Sequence, residues 1–360
     1  MSDFFRDKRV LLTGHTGFKG SWLTIWLAHL GARVSGLALD PATAPSLFEL
    51  ARVGSMLSSD HRVDVRDRDA VAGVVRREAP EIVFHLAAQP IVKTSYAQPL
   101  ETFATNVMGT LHVLDALRRT GRPVIVVVIT TDKVYENAER GESFSEEAPL
   151  GGRDPYSASK ACAEIATASF RASFATQTGL RIATARAGNV IGGGDWSEHR
   201  LVPDIARAFA RGEPVRLRNP RSTRPWQHVV EPLHGYLRLA ERLAGGDSAA
   251  YETAFNLGPD LSSVCDVETV ARLAAAAWNV HGLSTARIDV APEADAEHEA
   301  KTLSLAIDKS RRVLDWEPRW TLEVAVAQTM NWYASQRKGL DAAVLVKRDI
   351  ERYESASASA

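Results

Sequence analysis

The 360-residue chain reads as an α/β protein, a doubly wound parallel sheet followed by a smaller, irregular C-terminal domain. Two observations predict this. Short Val-, Ile- and Leu-rich runs alternate with stretches of helical periodicity through the first 190 residues. Those runs are apolar throughout, without the in–out alternation of a half-exposed strand, so helices should cover both faces of the sheet.

The elements follow in order. "RVLLTG" (9–14), "RVSGLAL" (33–39), "EIVFHLAA" (81–88), "PVIVVVITT" (123–131) and "RIATARAGNV" (181–190) read as strands. Helical patterns lie between them at about 18–30, 67–79, 99–120 and 156–178, and the crossovers should be right-handed. Beyond residue 190 the pattern loosens into the Gly-, Pro- and Arg-rich segments "IGGGDWSEHR" and "RNPRSTRPWQ", with further helices near 264–281 and 321–335. Residues 1–190, with a return segment near 226–262, are expected to form the sheet domain. Residues 191–225 and 263–346 should form the second domain, and 347–360, ending in "ESASASA", a frayed tail.

Composition excludes several classes of partner. Apolar residues make up 45% and charged residues 24%, with a formal net charge of −1, which leaves no footprint for nucleic acid or an anionic membrane. No run of 18 apolar residues is present, and "MSDFFRDKRVLLTG" carries charges where a signal peptide needs an apolar core. Two cysteines, Cys162 and Cys265, make neither a disulfide framework nor a metal cage, so no metal is expected and the reducing cytoplasm is the expected compartment.

The first motif with chemical content is "LLTGHTGFKGSW", in which Gly14, Gly17 and Gly20 follow the first strand and open a helix around Phe18. Glycines there permit a tight turn and let backbone N–H groups approach a pyrophosphate at a helix N-terminus, the Rossmann-type arrangement for a dinucleotide. Asp40, twenty residues beyond Gly20, is placed to bind the adenosine ribose hydroxyls. Its charge would repel a 2′-phosphate, so NAD is expected rather than NADP. The same residue also suits the first position of the turn "DPAT".

The fourth strand ends in Thr130, Thr131, Asp132 and Lys133. Burying either charge without a partner is expensive, so both need partners or work to do. "DPYSASKACAE" then sets Tyr156 and Lys160 four apart on one helix face, where an ammonium should favour the phenolate and lower the tyrosine pKa. Taken alone this pair is also compatible with a helix surface, and Asn106 in "ATNVMGT" with a helix-interior amide.

In this order, the glycine motif, "HLAAQ", an Asn on the next crossover helix, the polar strand end and Tyr-x-x-x-Lys resemble the extended short-chain dehydrogenase/reductase family over nearly the whole chain. The resemblance implies NAD contacts from Asp40, Asp64, Val65, Ala87, Ala88, Gln89, Asn106, Tyr156 and Lys160, besides the glycine turn with Phe18. Within that family "PSLFEL", "TTDKVYEN", "RAGNVIGGGDW" and "RPWQHV" resemble the CDP-glucose 4,6-dehydratase branch. Related dehydratases usually carry Thr-Asp-Glu at the strand end; here it is Thr131-Asp132-Lys133.

That branch implies a lyase reaction on CDP-glucose or a related nucleotide sugar. Tyr156 would take the carbon 4 hydroxyl proton, and Thr131 would bond oxygen 4. Asp132 would protonate the leaving carbon 6 hydroxyl. Lys133 would act as the base if neutral or stabilise the enolate if charged. Asn189, Arg200 with Leu201 and Val202, Arg218, Arg224 and His298 would line the substrate cleft, with Arg forks for the diphosphate. The loop arginines also read as solvated side chains. A homodimer or homotetramer paired through the helices of Asn106 and Tyr156 is implied. The rival readings are a nucleotide-sugar 4-epimerase and a non-catalytic NAD-sensing protein on the same fold.

Overall fold

The computed structural model describes residues 2–198, 200–217, 219–290 and 302–356. Seven parallel strands form the central sheet: β1 (Arg9–Thr13), β2 (Arg33–Ala38), β3 (Ser59–Arg62), β4 (Ile82–His85), β5 (Val124–Ile129), β6 (Leu180–Ala187) and β7 (Ala254–Leu257). Their spatial order is β7-β6-β5-β4-β1-β2-β3, so the chain reverses direction across the sheet beside β1. That reversal opens a crevice beyond the strand ends, where ligands of such sheets bind. In β5, "VIVVVI", five of six residues are buried, as a strand covered on both faces requires.

The longer helices are α1 (Phe18–His29), α2 (Arg68–Glu78), α3 (Gly109–Arg118), α4 (Pro155–Thr178), α5 (Leu201–Arg211), α6 (Val230–Ala244), α7 (Val267–Asn279), α8 (Leu322–Arg337) and α9 (Ala342–Ala356). One face of the sheet packs Val71, Val74 and Val75 of α2 with Leu114 and Leu117 of α3. The other carries an aromatic core in which Trp22, Trp26, Trp332 and Tyr353 meet Phe84 and Phe255. Truncating one of those buried rings costs about 3–5 kcal/mol. Among the described residues no helix is long and apolar enough to cross a membrane.

Three features depart from the sequence reading. Strand β3 is absent from the strands read in the residue pattern, because "SDHR" has no apolar run; it is an edge strand whose polar groups are met by Ser35 and Glu78. The pattern at 99–120 is not one continuous α-helix: Pro99–Phe103 is helical, Ala104–Met108 is a π turn, and α3 follows. The widened turn buries the Asn106 side chain. The expected tail is a helix as far as Ala356, because Leu345, Val346, Ile350 and Tyr353 recur at helical spacing and are buried against the core. Beyond the sheet, Pro214–Leu217 pairs with Arg287–Val290 and Thr223–Pro225 with Val264–Asp266, and these ribbons stand with α5 and α7 over the strand ends.

Candidate active site

Gly14 adopts φ +75°, and a Cβ there would lie 2.8 Å from Ala87 N; a Cβ on Gly20 would lie 2.1 Å from the Gly14 carbonyl oxygen. Only glycine fits either place. Gly17 is the N-cap of helix α1, and among the described residues no side chain caps the helix's first N–H groups, so they remain available to an anion. The turn forms one wall of a cleft of about 920 Å³ that runs across the ends of β1, β4 and β5 to the loops before α5 and after Arg216.

At the end beside β2, Asp40 is exposed and ion-paired with Arg62 at 3.5 Å. Arg62 also holds Asp60 at 2.8 Å. Asp64, Val65, Ala87 and Ala88 line the next stretch of wall, with Phe18 opposite in the glycine turn. The Asp64 carboxyl lies below its ordinary range, chiefly through hydrogen bonds from Arg66. Gln89 and Asn106 are not in the lining. Asn106 accepts from Gln89 N at 2.9 Å and donates to Gln89 O at 3.1 Å and to Ser159 Oγ at 2.9 Å. The Gln89 amide donates to Thr102 at 2.9 Å. Both side chains are spent behind the wall, shaping it rather than facing a ligand.

At the tip of β5 the chain bends. Asp132–Val134 is one 3-10 turn, and Thr131 Oγ1 caps it by accepting from Lys133 N at 3.4 Å. The bend explains how two consecutive charges are accommodated: a continuing strand would send them to opposite faces, whereas here Thr131, Asp132 and Lys133 all line the cleft. Asp132 is buried, its Oδ1 accepts from the Thr131 hydroxyl at 3.0 Å, and its Oδ2 has no hydrogen-bond partner among the described residues. Burial raises its pKa above the ordinary carboxylate value, against the opposing charge of Lys133, the Thr131 hydrogen bond and the charges of Arg224 and Lys19.

Tyr156 stands in the first turn of α4, whose N-cap Asp154 accepts from Ser157 N at 2.9 Å. Lys160, one turn on, donates to the Ile129 carbonyl at 3.0 Å, and burial lowers its pKa to about 8. The expected lowering of the tyrosine pKa by this lysine is not found. Tyr156 is pushed up to about 12 by burial and by the charge of Asp132, against hydrogen bonding with Thr131 and the charge of Arg200. Burial of the phenol is the largest influence, and the Lys160 ammonium is itself engaged at the end of β5.

Asn189, Arg200, Leu201, Val202 and Arg224 line the opposite wall. Arg200 pairs with the buried Asp195 at 3.2 Å, and Arg224, itself buried, donates to the Thr223 carbonyl at 2.8 Å. Arg218 and His298 lie outside the described residues. The sequence reading passed over Lys19, although it sits inside the glycine motif between Phe18 and Gly20. Its side chain lines the cleft, and among the described residues it makes no hydrogen bond or ion pair. Burial and the nearby charge of Arg200 lower its pKa to about 8, with Asp132 opposing. A charged residue in a run of glycines and large apolar groups was the available signal. Lys19, Lys133, Lys160, Arg200, Arg216 and Arg224 give the cleft cationic groups suited to an anionic ligand, beside Asp40, Asp64, Asp132, Asp195 and Asp204 in the same lining.

A profile for GDP-mannose 4,6 dehydratase matches residues 11–329. CDP-glucose 4,6-dehydratase of Salmonella typhimurium is 44% identical, the alignment covering 99% of this chain and 98% of that one. A dTDP-glucose 4,6-dehydratase of Xanthomonas campestris pv. campestris is 26% identical over 91% of this chain and 93% of its own. Among solved structures, MoeE5 in complex with UDP-glucuronic acid and NAD aligns with a TM-score of 0.72 and 25% identity, covering 92% of this chain and 99% of that one. With a profile match spanning most of its length and a near full-length relative at this identity, the chain belongs to the GDP-mannose 4,6 dehydratase family.

Proposed function

We propose that this protein is a CDP-glucose 4,6-dehydratase, converting CDP-D-glucose to CDP-4-dehydro-6-deoxy-D-glucose and water with NAD as resident cofactor. The carrying observation is Asp132: a buried carboxyl of raised pKa, with one oxygen unpartnered among the described residues, in the same cleft as Tyr156. An epimerase has no use for such an acid. The cytidine assignment draws on the near full-length likeness to the Salmonella enzyme.

The residues present fit a dinucleotide. A Cβ at Gly14 or Gly20 would fill the cradle, the uncapped start of α1 offers N–H groups to a pyrophosphate, and Asp40 stands beyond β2 for the ribose hydroxyls. NAD bound there would supply the acceptor for the carbon 4 hydride and its source for return to carbon 6, so that no net redox change occurs.

The remaining chemistry belongs to the chain. Tyr156, in the phenolate form that the positive charge of an adjacent bound nicotinamide would favour against the effect of burial, takes the proton of the carbon 4 hydroxyl, and Thr131 holds oxygen 4. The carbon 4 ketone acidifies the proton on carbon 5; neutral Lys133 at the turn takes that proton as base, the ammonium so formed steadies the enolate, and it gives the proton back to carbon 5 when hydride reaches carbon 6. Asp132 gives its proton to the carbon 6 hydroxyl, which leaves as water; burial raises the pKa of the carboxyl and so favours its acid form. Arg200 and Arg224 hold the diphosphate against the opposite wall, with Asn189, Leu201 and Val202 beside them. Arg218 and His298 are assigned the same wall from the resemblance alone.

The sheet domain, with its return strand β7, is the NAD-binding unit, and the loops with α5, α7 and α8 form the substrate unit. Leu100, Met108 and Ile165 are exposed apolar residues on the Pro99–Arg118 and α4 helices, which supports pairing of two copies there. The reading places the enzyme in the cytoplasm, where sugar nucleotides are made. Incubation with CDP-glucose followed by product analysis tests it. A 4-keto-6-deoxy product is expected; a galacto product means an epimerase, and turnover of dTDP- or GDP-sugars in preference to CDP-glucose removes the cytidine assignment.

A further inference from the structure

Tyr156, Lys160 and Glu164 recur every four residues along α4 and so share one face. The proposed chemistry uses the first two. Glu164 is buried and lies outside the cleft lining, below the tip of β5. Its Oε1 accepts from Thr130 Oγ1 at 2.5 Å, and its Oε2 accepts from Thr184 Oγ1 at 2.7 Å and from Arg186 Nη2 at 2.9 Å. Arg186 Nη1 in turn donates to Tyr135 OH at 2.9 Å, with the guanidinium 5.1 Å over that ring. The Tyr135 hydroxyl donates to Asn256 Oδ1 on β7 at 2.6 Å.

Thr130 immediately precedes the reactive turn and Tyr135 immediately follows it. One buried ion pair therefore grips both flanks of Thr131–Val134. A buried ion pair is weak support for stability, since removing two charges from water offsets much of their attraction. Its strength is geometric: charge-assisted hydrogen bonds in a dry interior are directional and tight. Lys160 adds a third grip through the Ile129 carbonyl, and Glu164 is the charge that opposes the effect of burial on that lysine.

We propose that Glu164 is a positioning residue for the elimination step, clamping the Thr131–Val134 turn through Thr130 on one side and through Arg186 and Tyr135 on the other, so that Asp132 meets the leaving hydroxyl. The proposal rests on the acid role assigned to Asp132. A misplacement of about 1 Å at a reacting group is enough to cost on the order of 100-fold in rate, while the diphosphate grip of Arg200 and Arg224 on the opposite wall keeps most of the substrate's binding.

Three variants test this: Thr130→Val and Tyr135→Phe, which each remove one hydroxyl of the clamp and leave both charges, and Glu164→Gln. In the holoenzyme with CDP-glucose, kcat should fall about 5- to 100-fold with KM within about 2-fold. Reduced-nicotinamide absorbance should accumulate during turnover, because carbon 4 oxidation continues while elimination lags. In the holoenzyme without substrate, amide hydrogen exchange across 131–136 should speed up while 124–129 stays as in wild type. Wild-type kcat and exchange in Thr130→Val and Tyr135→Phe overturn the proposal, as does an equal loss of oxidation and elimination. If Glu164→Gln does not fold, the two hydroxyl variants decide alone. Asp132→Asn separates the readings: if it still eliminates water, the acid assignment falls, and if it does not while the clamp variants are wild type, only the clamp falls.

Discussion

The Thr131 hydroxyl donates to Asp132 Oδ1 at 3.0 Å and leaves Oδ2 of the same carboxyl buried with no partner among the described residues. A single hydrogen bond on one oxygen, and none on the other among the described residues, suit a group that gives a proton into the cleft. They also make Asp132 costly to the fold, because a buried polar atom left unpaired costs about 1–3 kcal/mol.

Asp132→Asn should therefore slow elimination by about 100- to 10,000-fold, the range of a lost general acid, while carbon 4 oxidation survives. Rapid mixing with CDP-glucose, followed by the nicotinamide absorbance and by product analysis, measures both steps. The same variant should melt higher than wild type at neutral pH. The folded pKa of Asp132 is raised, so ionising it costs stability as pH rises past its ordinary 3.8, and the amide never ionises.

Lys19→Met should weaken binding of CDP by about 10-fold, with the loss shrinking as salt is added. The ammonium has no partner within the described chain to compensate for its removal from water, so an anionic ligand is its natural counter-charge. Titration calorimetry with CDP and, separately, with NAD shows which of the two ligands it serves. Unchanged affinity for both removes Lys19 from the site.

Gly14→Ala should abolish NAD retention and cost about 1–3 kcal/mol in stability. The residue sits at φ +75°, and the added Cβ would press on the Ala87 backbone at 2.8 Å, in the wall that faces the cofactor. Thermal melting with and without NAD measures both effects.

The docking of α9 should be sensitive to pH. Glu231 accepts from Arg319 N, Trp320 N and Tyr353 OH, and burial raises its pKa from 4.5 to about 7. The folded state thus binds this proton more tightly than the unfolded one, and stability contributed by the protonated form is lost as pH rises from about 4.5 through 7. Glu231→Gln should flatten the dependence of the melting temperature on pH across that window. A decline as steep as in wild type would assign the effect to another group.

Much of this site was legible because the relevant signals are local. The strands of the sheet centre read as strands because burial on both faces forces a continuous apolar run, and β3 escaped because an edge strand has no such need. Helix α6 escaped for a different reason. Its Glu231 and His234 are buried and break the apolar period, and Glu231 is satisfied by backbone N–H groups of residues 319 and 320 that no sequence window reaches.

The one-dimensional pattern was enough for the glycine turn, the sheet centre and the list of reactive groups, since backbone conformation and helical or strand periodicity act over a few neighbouring residues. Only the tertiary structure decided where those groups point and how they titrate. It turned Gln89 and Asn106 away from the cleft, tied Lys160 to the end of β5, raised the Tyr156 phenol instead of lowering it, and brought Lys19 among the acids and bases. Burial and partnership set those outcomes, and both depend on elements that lie far apart along the chain and meet only once it has folded.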